Sequence, residues 1–176
     1  MIATSNLSVQ FGGRKLFDEV DIKFTPGNCY GIIGPNGAGK STLLNQMIGF
    51  TKPDQGDILY GDISFIYNRK QARTLISYMS QQYAPLDKLT VEQNLEILGK
   101  MRGLSSQELE KAISQLLTDL EIEDYRYKKG KDLSGGLKRL TSFAMTLIGS
   151  SDIILLDEQM MLTPFVVKSN GNYCKS

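Results

Sequence analysis

The chain has 176 residues, 41% hydrophobic and 22% charged, which is a globular composition and excludes a disordered tail as the bulk of the molecule. The formal net charge of +1 leaves no electrostatic case for a nucleic-acid partner, and no apolar run approaches the roughly 18–20 residues of a spanning helix. Met1–Asn6 carries neither the charged nor the apolar part of a secretory leader. Cys29 and Cys174 lie far apart and form neither a disulfide framework nor a zinc pattern, so the reducing cytosol is the expected compartment. The length suits one domain with a buried core.

In chain order, Leu7–Phe11 and Val20–Phe24 alternate apolar and polar residues, as half-buried strands do, with a turn at Gly12-Gly13. Tyr30–Ile33 is short and apolar and predicts a strand buried on both faces. It runs through Gly34 into Lys40–Leu44, which reads as a helix. Residues 52–56 read as a loop, and Ile58–Tyr60 and Leu75–Met79 as further strands. The pattern then turns helical, from about residue 83 to residue 148. Thr90 with Gln93 has capping-box spacing ahead of Val91, Leu95, Leu98 and Met101, and Gly103 breaks that helix. Ser105 with Glu108 repeats the box ahead of Leu109, Ile113, Leu116, Leu117 and Leu120. Ile153–Leu156 is another continuous apolar strand, and beyond Glu158 the pattern dissolves.

Gly34-Pro35-Asn36-Gly37-Ala38-Gly39-Lys40-Ser41 fits G-x-x-x-x-G-K-[ST], between an apolar strand and a helix. Glycines let a backbone wrap a phosphate closely, and the loop N–H groups and helix start then face the anion. In that pattern Lys40 reaches the β- and γ-phosphates and the Ser41 hydroxyl binds Mg²⁺. Asp157 and Glu158 end the Ile153 strand, on the rim where α/β sheets bind ligands. There Asp157 suits a Mg²⁺ held through water, and Glu158 suits polarisation of an attacking water. By itself, an acidic strand end is as often plain surface. Leu133-Ser134-Gly135-Gly136-Leu137 supplies an N-cap serine and two glycines that let a ligand approach a helix start; in isolation it reads as an ordinary helix start.

Together and in this order, the three segments resemble the nucleotide-binding subunit of ATP-binding cassette (ABC) transporters, over about residues 4–158. Gly34–Thr42 looks like the family's Walker A, Ile153–Glu158 like its Walker B with the catalytic glutamate, and Leu133–Leu137 like its signature motif. Tyr78-Met79-Ser80-Gln81, ahead of Leu89–Leu95, resembles the Q-loop segment. Spacing favours Gln81 over Gln82 as its glutamine. Phe11 stands where the family stacks an aromatic on adenine, although core packing accounts for it almost as well. The resemblance implies an α/β fold: a P-loop NTPase core, a small antiparallel β subdomain and a helical insert at about residues 83–150. It implies ATP and Mg²⁺ as ligands, with Gly34, Pro35, Asn36, Gly37, Ala38, Gly39, Lys40, Ser41 and Thr42 on the nucleotide. Ser41, Gln81 and Asp157 would serve the metal, and Gln81 and Glu158 the catalysis. Leu133, Ser134, Gly135 and Gly136 would meet the nucleotide of a second cassette packed head to tail. It further implies a membrane-spanning permease partner and a place at the cytoplasmic face of the cell membrane. Leu133–Leu140 and Met101-Arg102-Gly103-Leu104 resemble the exporter branch.

The sequence departs from the family after Glu158. Gln159 replaces a proline, Thr163 stands where the D-loop aspartate is expected, and the chain has no histidine to act as the family's switch. The eighteen residues 159–176 are short for a crossover helix and a further strand, since a crossover takes about a dozen residues. The expectation is a cassette truncated or frameshifted after Walker B, with the C-terminal part of its sheet missing, a poorly ordered tail at 159–176 and weak or absent ATP turnover. Two other readings stand beside transport. One is a non-catalytic cassette that at most binds nucleotide; the other is a soluble ABC-type ATPase not coupled to a membrane.

Overall fold

The computed structural model describes all residues except 12, 27, 29, 33, 34, 150, 158–164, 168–172 and 176; at 11, 14, 72, 73, 165–167 and 173–175 it describes the backbone alone. The chain divides into two compact units, residues 1–76 with 159–176, and residues 77–158.

The first unit is built on an antiparallel sheet. β1 (Ile2–Phe11) lies between β2 (Arg14–Val20) and β4 (Gln55–Tyr60), with β5 (Ile63–Ser64) beyond β4 and β3 (Lys23–Phe24) paired to the start of β1. The strand expected at Val20–Phe24 is split. The buried Thr4 hydroxyl donates to the Val20 carbonyl at 3.0 Å and accepts from the Ile22 amide at 2.8 Å, taking groups a ladder would have used. β1 itself runs longer than its alternation suggests. At Asn6 the backbone turns to φ 50°, and the register against β4 shifts between Ser5 and Ser8. Such a bulge carries Leu7 and Val9 back into the core, and both are buried. α1 (Lys40–Met47) adds Leu43, Leu44 and Met47 to that core. The Tyr60 hydroxyl donates to the Met47 carbonyl, and burial pushes its phenol well above the usual tyrosine range. The short helix α2 (Arg69–Thr74) follows β5. β8 (Phe165–Val167) and β9 (Tyr173–Lys175) pair antiparallel, with Phe165 opposite Lys175.

The expected buried strand at Tyr30–Ile33 is not formed over residues 30–32. The backbone there joins no sheet, and Tyr30 and Ile32 are 47% and 39% exposed. Local contacts hold Tyr30 instead. Its hydroxyl accepts from the Thr25 amide at 3.0 Å and lies 2.6 Å from the Thr25 hydroxyl, and its ring stands edge-on to Phe24 at 5.1 Å. An apolar run becomes a strand only beside another strand, and among the described residues none pairs with this one.

The second unit is mostly helical. β6 (Ile76–Met79) pairs with β7 (Ile153–Leu156). The two run the same way, because Ser77 meets Ser151 while Met79 meets Asp157. α3 (Val91–Met101) and α4 (Ser106–Asp119) both begin with complete capping boxes, at Thr90 with Gln93 and at Ser105 with Glu108. Gly103, at φ 85°, separates them as expected. Replacing an N-cap threonine by alanine costs about 1 kcal/mol. Thr90→Ala should lower unfolding stability by that amount, read as a shift of the urea midpoint at unchanged slope.

The apolar faces of α3 and α4 bury Leu95, Leu109, Ile113, Leu116 and Leu117. Arg126 ties the outer side of the same helices. It pairs with Glu92 and Glu110, each at 2.7 Å, and with Glu123 at 3.3 Å, and these carboxylates hold its guanidinium firmly protonated. α5 (Gly135–Leu147) is buried from Thr141 to Leu147. Three of those residues are polar, and each hydroxyl donates to a carbonyl one turn back: Thr141 to Leu137, Ser142 to Lys138 and Thr146 to Ser142, at 2.8 to 2.9 Å. No buried hydroxyl is left unpaired in that run, so the helix can sit inside the unit. Among the described residues, no helix is long and apolar enough to cross a membrane.

Candidate functional site

The phosphate-loop residues lie in the first unit. Pro35, Asn36, Gly37 and Ala38 are exposed and form a turn in which the Ala38 amide donates to the Pro35 carbonyl at 3.1 Å. The same carbonyl accepts from the Lys40 ammonium at 3.0 Å, so the lysine folds back across its own loop. Gly37 and Gly39 take the left-handed conformation, with φ of 82° and 88°. A Cβ at Gly37 would meet nothing, whereas one at Gly39 would lie 3.1 Å from the Phe17 ring on β2. Gly39 therefore serves both the turn and a close approach of β2, and Phe17 is a supporting residue that the motif gave no hint of.

Gly39 is the N-cap of α1. It offers no side-chain cap, and the first turn holds no acidic residue. The first amides of a helix have no partner within it, and their partial positive charge favours an anion. The loop therefore fits a phosphate group: residues 35–38 are exposed, and the Lys40 ammonium lies on the loop's own Pro35 carbonyl. Ser41 is exposed on the first turn and Thr42 half-buried. Gly34 lies outside the described residues. Phe11 pairs through its backbone with Arg14 at the β1–β2 turn, and its side chain lies outside the described residues, as does Glu158.

The remaining site residues lie in the second unit. Asp157 follows the last residue of β7, and its amide donates to the Met79 carbonyl of β6 at 2.9 Å. Its Oδ2 accepts from the Tyr78 hydroxyl at 3.1 Å. Burial and the Asp157 charge push the Tyr78 phenol up to about 12, so it remains a donor at neutral pH. The structure thus joins Asp157 to the strand that leads into Gln81. The sequence carries Tyr78 in the same short segment, but nothing local marks it as a partner for a residue 79 positions away.

Gln81 is exposed in the turn after β6, and its carbonyl accepts from Arg139 of α5 at 3.3 Å. Burial disfavours the charged form of the Arg139 guanidinium and lowers its pKa. The next turn is held to α5 as well, by Ser142 donating to the Tyr83 carbonyl at 2.9 Å. Ser134 caps α5, its hydroxyl accepting from the Leu137 amide at 3.3 Å and keeping its own proton to donate. Leu133 is buried beneath it. Gly135 and Gly136 are exposed, with open space where a Cβ would stand, so a ligand can reach the helix start.

The sequence profile described as ABC transporter matches residues 17–161. The chain belongs to the ABC transporter family. Among curated cassette proteins it is 35% identical to the uncharacterized ABC transporter ATP-binding protein YkpA of Bacillus subtilis (strain 168), over 90% of this chain and 34% of the relative. It is 33% identical to the Nod factor export ATP-binding protein I of Cupriavidus metallidurans, over 87% of this chain and 50% of that protein. A spermidine/putrescine import ATP-binding protein, PotA of Marinobacter nauticus, is 32% identical over 91% of this chain and 43% of its own length. The cassette here therefore spans half or less of these relatives. Among solved structures, the ATP-binding cassette MJ0796, described as a dimeric post-hydrolysis state bound to ADP and Pi, superposes with a TM-score of 0.76 at 25% identity. The match covers 92% of this chain and 75% of that one. An ATP-binding subunit of an ABC transporter superposes at 0.79 with 23% identity, over 92% and 67%, which is a likeness of fold. The α/β cassette fold, with its antiparallel sheet and helical insert, is the one expected.

Proposed function

We propose that this chain is the MgATP-binding cassette of an ABC transporter, working at the cytoplasmic face of a membrane on a separate permease. The observation that carries the reading is the loop at residues 35–39. It opens α1 on Gly39 in the left-handed conformation, an N-cap that makes no side-chain cap, and it brings the Lys40 ammonium onto the Pro35 carbonyl. Lys40 would exchange the Pro35 carbonyl for the β- and γ-phosphates, a charged acceptor in place of a neutral one. Ser41 would hold Mg²⁺ through its hydroxyl, Asp157 through water, and Gln81 would complete its environment. The metal, when bound, offsets the charge gathered on the phosphate oxygens during transfer. Glu158 would orient the attacking water and take its proton. Ser134, with the bare faces of Gly135 and Gly136, would receive the γ-phosphate end of a nucleotide carried by a second cassette. The dimeric description of the MJ0796 cassette supports that pairing.

Export is the favoured direction, supported by the Leu133–Leu140 and Met101–Leu104 stretches and by the Nod factor export relatives. A cassette that binds nucleotide with little turnover is the second reading. Residues 159–163 favour it, departing from the family pattern immediately after Glu158.

Equilibrium dialysis with ATP tests the binding. One saturable site per chain, tightened by Mg²⁺, is expected, and no binding at millimolar ATP overturns the proposal. Steady-state phosphate release tests the chemistry. Whatever turnover the chain has should fall to background in Glu158→Gln, while turnover equal to the parent's would remove Glu158 from the mechanism.

A further inference from the structure

We propose that Tyr78 is a positioning residue for Asp157: its hydroxyl occupies one carboxylate oxygen and presents the other to the metal's water. The inference rests on the reading of Asp157 given above. Asp157 is held by β6 at two points supplied by consecutive residues. Its amide donates to the Met79 carbonyl at 2.9 Å, and its Oδ2 accepts from the Tyr78 hydroxyl at 3.1 Å. The first contact fixes where the residue stands on the rim. The second fixes how its carboxylate is turned.

The terminal torsion of an aspartate is broad and roughly two-fold, so its carboxylate is turned by its hydrogen-bond partners. A carboxylate that must accept from one water in one place loses affinity when it rotates freely. Hydrogen-bond partners behind a metal-binding group recover that loss in advance, and removing them typically weakens metal affinity by about 10–100-fold. Tyr78 suits the task because its ring is rigid and stands on a paired strand. Neighbouring Ser77 is buried and hydrogen-bonded across to Ser151 at 2.6 Å, so the backbone that carries the phenol is anchored just before it. A phenol also contributes a single donor and no charge, so it orients Asp157 without competing with a cation.

The test uses the full chain at saturating ATP. The readout is the Mg²⁺ concentration that gives half the ATP-dependent rise in unfolding temperature. Tyr78→Phe should raise that concentration about 10–100-fold. Its unfolding without ligand, and its ATP binding in EDTA, should stay as in the parent, which a merely structural role would not allow. Asp157→Asn should weaken the Mg²⁺ response at least as far, and adding Tyr78→Phe to it should change nothing more. A Mg²⁺ response within two-fold of the parent in Tyr78→Phe, with Asp157→Asn impaired, overturns the inference and leaves the function standing. An unimpaired Asp157→Asn overturns the metal reading of Asp157, and this inference with it. Should Tyr78→Phe fail to fold, the parent chain labelled with [¹³C]tyrosine decides. Mn²⁺ with ATP should broaden a tyrosine ring resonance, and a tyrosine spectrum indifferent to Mn²⁺ overturns the inference.

Discussion

Lys40→Ala should abolish the stabilisation that MgATP confers on this chain. A ligand that binds only the folded form adds RT ln(1 + [L]/Kd), about 2.7 kcal/mol at 100 times Kd. For a chain of this size that is a rise of roughly 5–10 °C in unfolding temperature. The parent should show it and the variant should not, because the ammonium proposed to meet the phosphates is gone. The fold itself should change little. The Pro35 carbonyl keeps the Ala38 amide as a partner, and Gly37 and Gly39 still set the turn. Unfolding of the variant without nucleotide should therefore stay within about 1 kcal/mol of the parent, the centre of the range for single substitutions. Equal shifts in both proteins would move the nucleotide away from this loop. A parent transition indifferent to MgATP would refute nucleotide binding by the chain.

The second large effect concerns Asn94, which lies inside the helical unit at 2% exposure. Its carbonyl oxygen accepts from the Leu86 amide at 2.8 Å. Its amide group donates to the Thr90 carbonyl at 2.8 Å and, more weakly, to those of Leu86 and Leu89 at 3.4 Å. One side chain on α3 thus pins the loop that leads from the Gln81 turn into α3. Asn94→Ala removes those bonds and leaves the Leu86 amide without its acceptor. Orphaned polar groups cost about 1–3 kcal/mol each, and a small cavity adds to that. A loss of about 3 kcal/mol is expected in urea unfolding, the largest among the substitutions named here. Asn94→Asp separates the two roles. It keeps the acceptor for Leu86, loses the donors and buries a charge, and burial holds such a carboxyl protonated to higher pH than in the unfolded chain. The folded state then binds the extra proton, so this variant should be weakest at neutral pH and gain stability as pH falls. A flat profile would show that Asn94 acts through packing alone.

The parts of the fold that were legible in the sequence are those decided within a few residues. Thr90 with Gln93, and Ser105 with Glu108, announced two helix starts, because a cap is a contact between residues three apart. Gly103 announced the break between those helices, since the left-handed turn there suits glycine. The phosphate loop was legible for the same reason. Its glycines, its lysine and the helix that follows are one local object, and Pro35, Ala38 and Lys40 close on each other within six residues. The strand expected at Tyr30–Ile33 does not form over residues 30–32, because apolarity shows only that a segment could be buried. The partner strand that would make it one is not local, and Tyr30 turns to Thr25 and Phe24 instead.

By itself, then, the sequence determined which family this chain belongs to, where its helices begin and which loop carries the glycine and lysine pattern of a phosphate loop, because each depends on short-range chemistry. Tertiary structure decided the rest. It split the second predicted strand through the buried Thr4, placed Phe17 against Gly39 and brought Tyr78 to Asp157 across 79 residues. Those contacts are set by which surfaces exclude water together and by where buried polar groups find partners, and neither is a property of any one stretch of chain.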